Sequence, residues 1–310
     1  MGESLIDLTQ TVGADDHYVA HPGGSPLNVA VGLARLGTAV CFAGTISTDA
    51  LGMRTRRFLQ DEGVDLRLSV PVPTRTTLAL ATLVEGQPHY SFYASPAPAG
   101  VFHPADAVAD GEFSVVHAGS IGLLDADVYA SAVKLFSRGD GVRTLDPNVR
   151  PGLVTDPERY RADIARLAAH ATVVKLSAED ADFLAPDRPA AALAADYLSR
   201  GSTAVILTAA EQGATVHHAS GSATVPVSGA PVVDTTGGGD AVTAAVISRL
   251  VAEGVPDDLH GWTRVLRFAM QAAGVCCSRP GGAEAMPTAD DLAPPHQRLI
   301  VNERTAWQRK

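Results

Sequence analysis

Apolar positions along the chain follow two periods. Short apolar runs at residues 4–8, 39–43, 115–119, 142–145, 172–176 and 204–208 read as buried strands. Stretches with helical spacing at 49–62, 125–137, 157–169, 189–200 and about 258–277 lie between or after them. A further helix over 29–37 has clear boundary signals: Ser25 as N-cap, Pro26 at the first helical position and Gly37 just past the end. This alternation predicts an α/β fold with a mainly parallel central sheet covered on both faces. Between residues 71 and 98 the period shortens to alternating runs at 76–84 and 89–93, split by Glu85-Gly86-Gln87. That is a β-hairpin pattern, and a hairpin inserted in an α/β alternation is a candidate lid.

Residues 232–250 carry the most informative pattern. Val232 and Val233 end a predicted strand, Gly237, Gly238 and Gly239 leave backbone N–H groups unobstructed, and Asp240 opens an apolar helix. Glycines can take turn conformations closed to other residues, and the first N–H groups of a helix lack internal partners, so an anion would be well placed there. An aspartate beside such a turn repels the anion. It is either a helix cap or a general base that takes the proton from an attacking hydroxyl.

Four other polar clusters fall at predicted strand ends or helix starts. They are Asp7, Gly23 and Gly24 with Asn28, the run Asp146-Pro147-Asn148-Val149-Arg150, and Lys175-Leu176-Ser177 with Glu179 and Asp180. Each has an ordinary capping or end-of-strand explanation. Their shared location is stronger evidence, because the carboxyl ends of parallel strands converge on one crevice.

Composition narrows the choice. A formal net charge of −10 argues against nucleic acid or an anionic membrane as partner, so an anionic substrate must be held by local donors. The three cysteines show no C-x-x-C spacing, which favours reduced thiols in a cytosolic protein, and no apolar run approaches a membrane span. The chain lacks the P-loop, the G-x-G-x-x-G fingerprint and H-E-x-x-H. Lysine is scarce, only Lys134, Lys175 and Lys310, so a lysine at a predicted strand end stands out.

Two segments together resemble the ribokinase-like (PfkB) sugar kinases. One is Gly23-Gly24-Ser25-Pro26-Leu27-Asn28 with the helix to Gly37, followed by Gly44 and Asp49-Ala50-Leu51-Gly52; the other is Asp234-Thr235-Thr236-Gly237-Gly238-Gly239-Asp240. The Gly2-Glu3 opening, Ser91-Phe92-Tyr93, the Asp146 to Arg150 run and Lys175-Leu176-Ser177 are similar to the fructokinase and 2-keto-3-deoxygluconate kinase branch. The resemblance implies a three-layer α/β/α sandwich spanning 1–310 as a single kinase domain, with lid segments at about 9–20 and 71–98 and a possible homodimer through the lid. It implies a cytoplasmic enzyme that moves the γ-phosphoryl group of ATP to a primary hydroxyl of a small sugar, fructose ahead of 2-keto-3-deoxygluconate or a ribonucleoside. Asp240 would be the base and Gly237, Gly238 and Gly239 the anion hole. Asp7, Gly23, Gly24, Asn28 and Arg150 would hold the sugar, and Lys175, Ser177, Thr208, Gly213 and Met270 would lie toward ATP. Mg²⁺ would accompany ATP near Glu179 and Asp180, and a monovalent cation such as K⁺ would sit near Asp234 and Thr236.

The chain departs from that pattern mainly on the nucleotide side. The anion-hole centre is usually alanine and is Gly238 here; the N-x-x-E motif reads Ser177-Ala178-Glu179-Asp180; the T-x-G-x-x-G turn reads Thr208-Ala209-Ala210-Glu211-Gln212-Gly213; and Met270 stands where asparagine is common. These changes leave a catalytically weakened sugar- or nucleotide-binding protein as a further alternative. The resemblance also places Met1 inside the first strand, so a start upstream of it is expected.

Overall fold

The computed structural model describes residues 1–11, 14–84, 87–94, 97–138 and 141–293. The first half of the chain contains β1 (Leu5–Thr11), β2 (Ala14–Gly23), α1 (Ser25–Arg35), β3 (Thr45–Ser47), α2 (Ala50–Asp61), β4 (Val70–Val72), β5 (Leu78–Val84), β6 (Gln87–Tyr93) and α3 (Pro104–Ala107). An alternating core follows: β7 (Val115–Gly119), α4 (Ala126–Ser137), β8 (Val142–Asp146), α5 (Pro157–Ala168), β9 (Val173–Ser177), α6 (Ala178–Leu184), α7 (Ala190–Ser199) and β10 (Ala204–Thr208). After β11 (Ala214–His218) and β12 (Gly221–Val225) come two long helices, α8 (Gly238–Glu253) and α9 (Leu259–Cys277).

Six strands form the main sheet in the order β12-β11-β10-β9-β8-β7. Strands β7 to β10 are parallel, while β11 and β12 add an antiparallel edge. Side-chain alternation sends Val174 and Leu176 of β9 into one core with residues of α4 to α7, and Val173 into a second core with residues of α8 and α9. Both faces are therefore covered, which is why β9 and β10 are apolar along most of their length. The register pairs Gly119 with Asp146 and Ser177 with Thr208, so the carboxyl ends form one edge.

A second sheet runs β2-β1-β5-β6, with β1 parallel to β5 and antiparallel to β2. The expected first strand belongs to this smaller sheet. Part of the expected hairpin turn, Glu85-Gly86, lies outside the described residues, as do residues 12–13 and 95–96 of the expected lid segments.

Three expectations change. Residues 39–43 make no strand: Cys41 forms one isolated bridge with Asp65, where Phe42 N donates to Asp65 O and Asp65 N to Val40 O, and the pairing goes no further, while Phe42 is buried. Val232 and Val233 sit in a loop, 68% and 63% exposed, so their β-branching marks no strand there. Helix α1 begins at Ser25 with Gly24 as its cap, and Ser25 makes no cap bond because its hydroxyl is used elsewhere.

Candidate active site

Asp240 lies in the first turn of α8 and is 7% exposed. Its carboxylate does not cap its own helix, whose N-cap is Gly237 in the left-handed region at φ 78°. Instead Ser25 Oγ donates to Oδ1 at 2.6 Å and Asn28 Nδ2 donates to Oδ2 at 2.7 Å. The cap alternative therefore falls. Burial pushes the Asp240 carboxyl above the ordinary aspartate range, partly offset by those two hydrogen bonds and by the charges of Lys175 and Arg150. Burial makes this carboxylate a better proton acceptor and its two partners hold it in one orientation, while the positive end of α8 favours its ionised form.

The same turn of α1 presents Asn28, whose side-chain carbonyl Oδ1 is buried and has no hydrogen-bond partner among the described residues. Gly23 and Gly24 are required by close approach. A Cβ on Gly23 would lie 2.0 Å from Asp7 Oδ2, and Gly24 has φ 105° with Glu3 O 3.0 Å from where its Cβ would be. Asp7 faces the cleft from β1 opposite His21 of β2. Burial, then the charge of Asp240, pushes Asp7 up to about 7, against the pull of Arg150 and His21. Arg150 is half-buried and uses Nη1 on the oxygens of Asn148 and Val149. Tyr90 of β6 lies near Thr236 and within range of the charges of Asp7 and Arg150, so the small sheet reaches towards this side of the cleft.

On the other side of the glycine turn, several expected nucleotide contacts have different occupations. Lys175 is 7% exposed and paired with Asp146 at 3.0 Å, under α8 rather than open to the cleft. Met270 is 6% exposed and packs into the core with Val216, Val225 and Leu266. Ser177 caps α6 through Asp180 N. Asp180 is buried, with one oxygen accepting from Val149 N at 2.6 Å and the other from Ser177 N at 2.7 Å. It clasps two strand ends, with both carboxylate oxygens engaged by backbone N–H groups. Glu179 is exposed on the first turn of α6. Among the described residues no group of three or more His, Cys, Asp or Glu could hold a metal ion; a divalent ion accompanying ATP would take phosphate oxygens and water among its ligands.

Thr208 ends β10 with its hydroxyl donating to Leu176 O at 3.3 Å. Gly213 has φ 88°, and a Cβ there would meet Val225 O at 2.2 Å, so this glycine is fixed by the β11–β12 hairpin. Between them Ala210 adopts φ 40°, a conformation glycine takes without strain. Asp234 accepts from Thr236 N and Gly281 N, both at 2.9 Å, and clasps the loop after α9 against the glycine turn. These bonds help to hold its carboxyl below the usual range against burial. Gly238 is explained by its neighbour: a Cβ there would lie 2.8 Å from Cys277 Sγ, so the thiol fills the space where a methyl group would sit.

Sequence reasoning placed Asp240, Gly237 to Gly239, Asp7, Gly23, Gly24, Asn28 and Arg150 around one cleft, and the structure brings them together. It missed Ser25 as a partner of Asp240, Tyr90, and Glu3, whose carboxylate accepts from Gly122 N at 2.8 Å beneath Gly24. Glu3 was legible only as part of the Gly-Glu opening. Ser25 carried no distinguishing signal, since its position was equally that of a cap.

An α/β sheet whose strand ends meet a glycine turn and a held carboxylate defines a phosphotransferase-type cleft. The pattern of the pfkB family carbohydrate kinases matches residues 1–289, and the chain belongs to that family. It is 32% identical over 254 residues to a fructokinase of Rhizobium leguminosarum bv. trifolii, covering 80% of this chain and 78% of that protein. It is 28% identical over 298 residues to a fructokinase of Klebsiella pneumoniae, covering 94% of this chain and 96% of that one. Among solved structures, the fructokinase of Xylella fastidiosa with bound ATP is similar with a TM-score of 0.83 and 26% identity, covering 98% of this chain and 97% of that one. The fructokinase of Vibrio cholerae O395 with fructose, ADP and calcium gives 0.80 and 25%, covering 94% and 96%.

Proposed function

We propose that this carbohydrate kinase phosphorylates fructose with ATP, acting on a primary hydroxyl in the cytosol. The observation that carries the reading is the Asp240 carboxylate, buried at the start of α8 and held by Ser25 and Asn28. As the sugar oxygen attacks the γ-phosphorus, its proton passes to Asp240. Charge building on the transferring phosphoryl group faces the N–H groups of the Gly237 to Gly239 turn. The open Asn28 Oδ1 accepts from a sugar hydroxyl, and Asp7 and Arg150 supply further groups to hold the sugar in line. The sheet carrying Tyr90 serves as the lid that excludes water. Mg²⁺, carried by nucleotide phosphates and water, supplies charge neutralisation, and a monovalent cation near Asp234 and Thr236 belongs to the same reading.

Charge favours a neutral sugar over a sugar acid. Glu3, Asp7 and Asp240 crowd this side of the cleft, where burial and mutual repulsion already push these carboxyls towards their neutral forms, and a substrate carboxylate would add to that repulsion. The similarity to fructokinases supports fructose as that sugar. The test is ADP release with Mg²⁺, ATP and K⁺ across fructose, glucose, ribose, 2-keto-3-deoxygluconate and a ribonucleoside. Fructose is expected to give the highest kcat/KM, and preference for the sugar acid would overturn the assignment.

A further inference from the structure

Lysine at the start of a helix is electrostatically misplaced, because the helix dipole already puts partial positive charge there. Lys175 nevertheless rises from β9 to the first turn of α8. A Cβ on Gly239 would be 3.0 Å from its Nζ, so the absence of a side chain at 239 is what admits the ammonium. The group is almost wholly buried and is tied to Asp146 Oδ2 at 3.0 Å. The Thr243 hydroxyl reaches the same Asp146 oxygen at 3.0 Å and Gly239 O at 3.2 Å, so lysine, aspartate and threonine form one unit joined to the backbone of the glycine turn. Asp146 Oδ1 is buried and has no hydrogen-bond partner among the described residues, which makes this unit expensive as a purely structural device.

We propose that Lys175 is a positioning residue that sets the charge state of the catalytic turn from beneath, acting on Asp240 and on the Gly237 to Gly239 donors without touching either substrate. The inference rests on Asp240 being the base. Burial alone would pull the Lys175 ammonium down, yet Asp146, Asp180 and Asp240 outweigh that and leave it more firmly protonated than an ordinary lysine. In turn its charge lowers the pKa of Asp240, as does Arg150. Glu3 and Asp7 face Asp240 from β1 and the segment before it and oppose them, and Asp146 adds to that opposition. Lys175 thereby favours the ionised form of a buried base and adds positive potential where phosphoryl charge develops.

The experiment compares wild type, Lys175→Met and Lys175→Arg by pH profiles of kcat/KM for fructose, with KM for ATP and thermal melting measured alongside. In Lys175→Met the acid limb should move up by about one pH unit, with kcat at pH 7 down about tenfold and KM for ATP within about threefold of wild type. Lys175→Arg should keep the limb near its wild-type position. If Lys175→Met does not fold, the Lys175→Met and Asp146→Asn double variant, which leaves no unpaired carboxylate, is read instead, with a shift of about half a unit in the same direction. An unmoved limb in a folded variant overturns the proposal, as does a tenfold rise in KM for ATP without a shift, which would mean direct phosphate contact. Should Asp240→Asn retain wild-type turnover, the base assignment itself is what has failed.

Discussion

The two flanks of the Gly237 to Gly239 turn are built differently. On the sugar side, side chains meet side chains: Ser25 and Asn28 fix both oxygens of Asp240, and a glycine at 23 makes room for Asp7. On the nucleotide side, the expected side chains are spent on packing and capping, as with Met270, Ser177 and Asp180. Proton transfer needs a particular functional group at a particular place, which only a side chain supplies. Phosphate binding can be met by backbone N–H groups, so side chains around it drift so long as the turn keeps its shape.

The largest effect that would break this contrast is on the base. Asp240→Asn should lower kcat by about 10² to 10⁴ while melting at or above the wild-type temperature. The sign follows from the raised pKa. A carboxyl whose folded pKa lies above its unfolded value contributes most stability below the unfolded pKa and loses it as pH rises toward the folded one, so a neutral replacement removes a liability at pH 7. Activity runs the opposite way, falling as pH drops through the same pKa. Wild-type turnover in this variant would erase the distinction between the flanks.

A smaller effect tests whether the nucleotide flank is packing. Gly238→Ala drives a methyl into Cys277 Sγ and should destabilise by about 1 to 3 kcal/mol, measured by denaturant unfolding. Adding Cys277→Ala should recover most of that loss, since the two sites are in contact and should couple. Simple additivity would show that they do not share the space.

Smallest is Ala210→Gly, which relieves a left-handed alanine and should raise stability by about 0.5 kcal/mol after the entropy of glycine is subtracted. Loss of stability would mean that the alanine side chain contributes more than its strain removes.

Much of this contrast was readable in the sequence. The parallel strands at 115–119 and 204–208 stand at the positions their apolar runs gave, because both faces of the sheet are covered and nothing competes with that signal. Val232 and Val233 misled because β-branching is compatible with an extended loop, and only a partner strand makes it a sheet. The β11–β12 hairpin was missed, since its weak alternation is backed mainly by Gly213 and the turn before Gly221. Asp240 and Asn28 were legible from local motifs. Lys175 was legible as unusual but not as buried, because its burial depends on Asp146 and Gly239 from two other elements.

The bond from Asn28 to Asp240 joins residues 212 positions apart, and Ser25 reaches across 215. Contacts of such long sequence separation are assembled late, since chain entropy must be overcome before they form. During synthesis the sugar-side turn emerges long before its base, and an unfinished chain carries no competent site. Recovery of phosphorylation after unfolding therefore reports on completion of the whole topology, and should lag behind the return of helical signal from the locally paired middle of the chain.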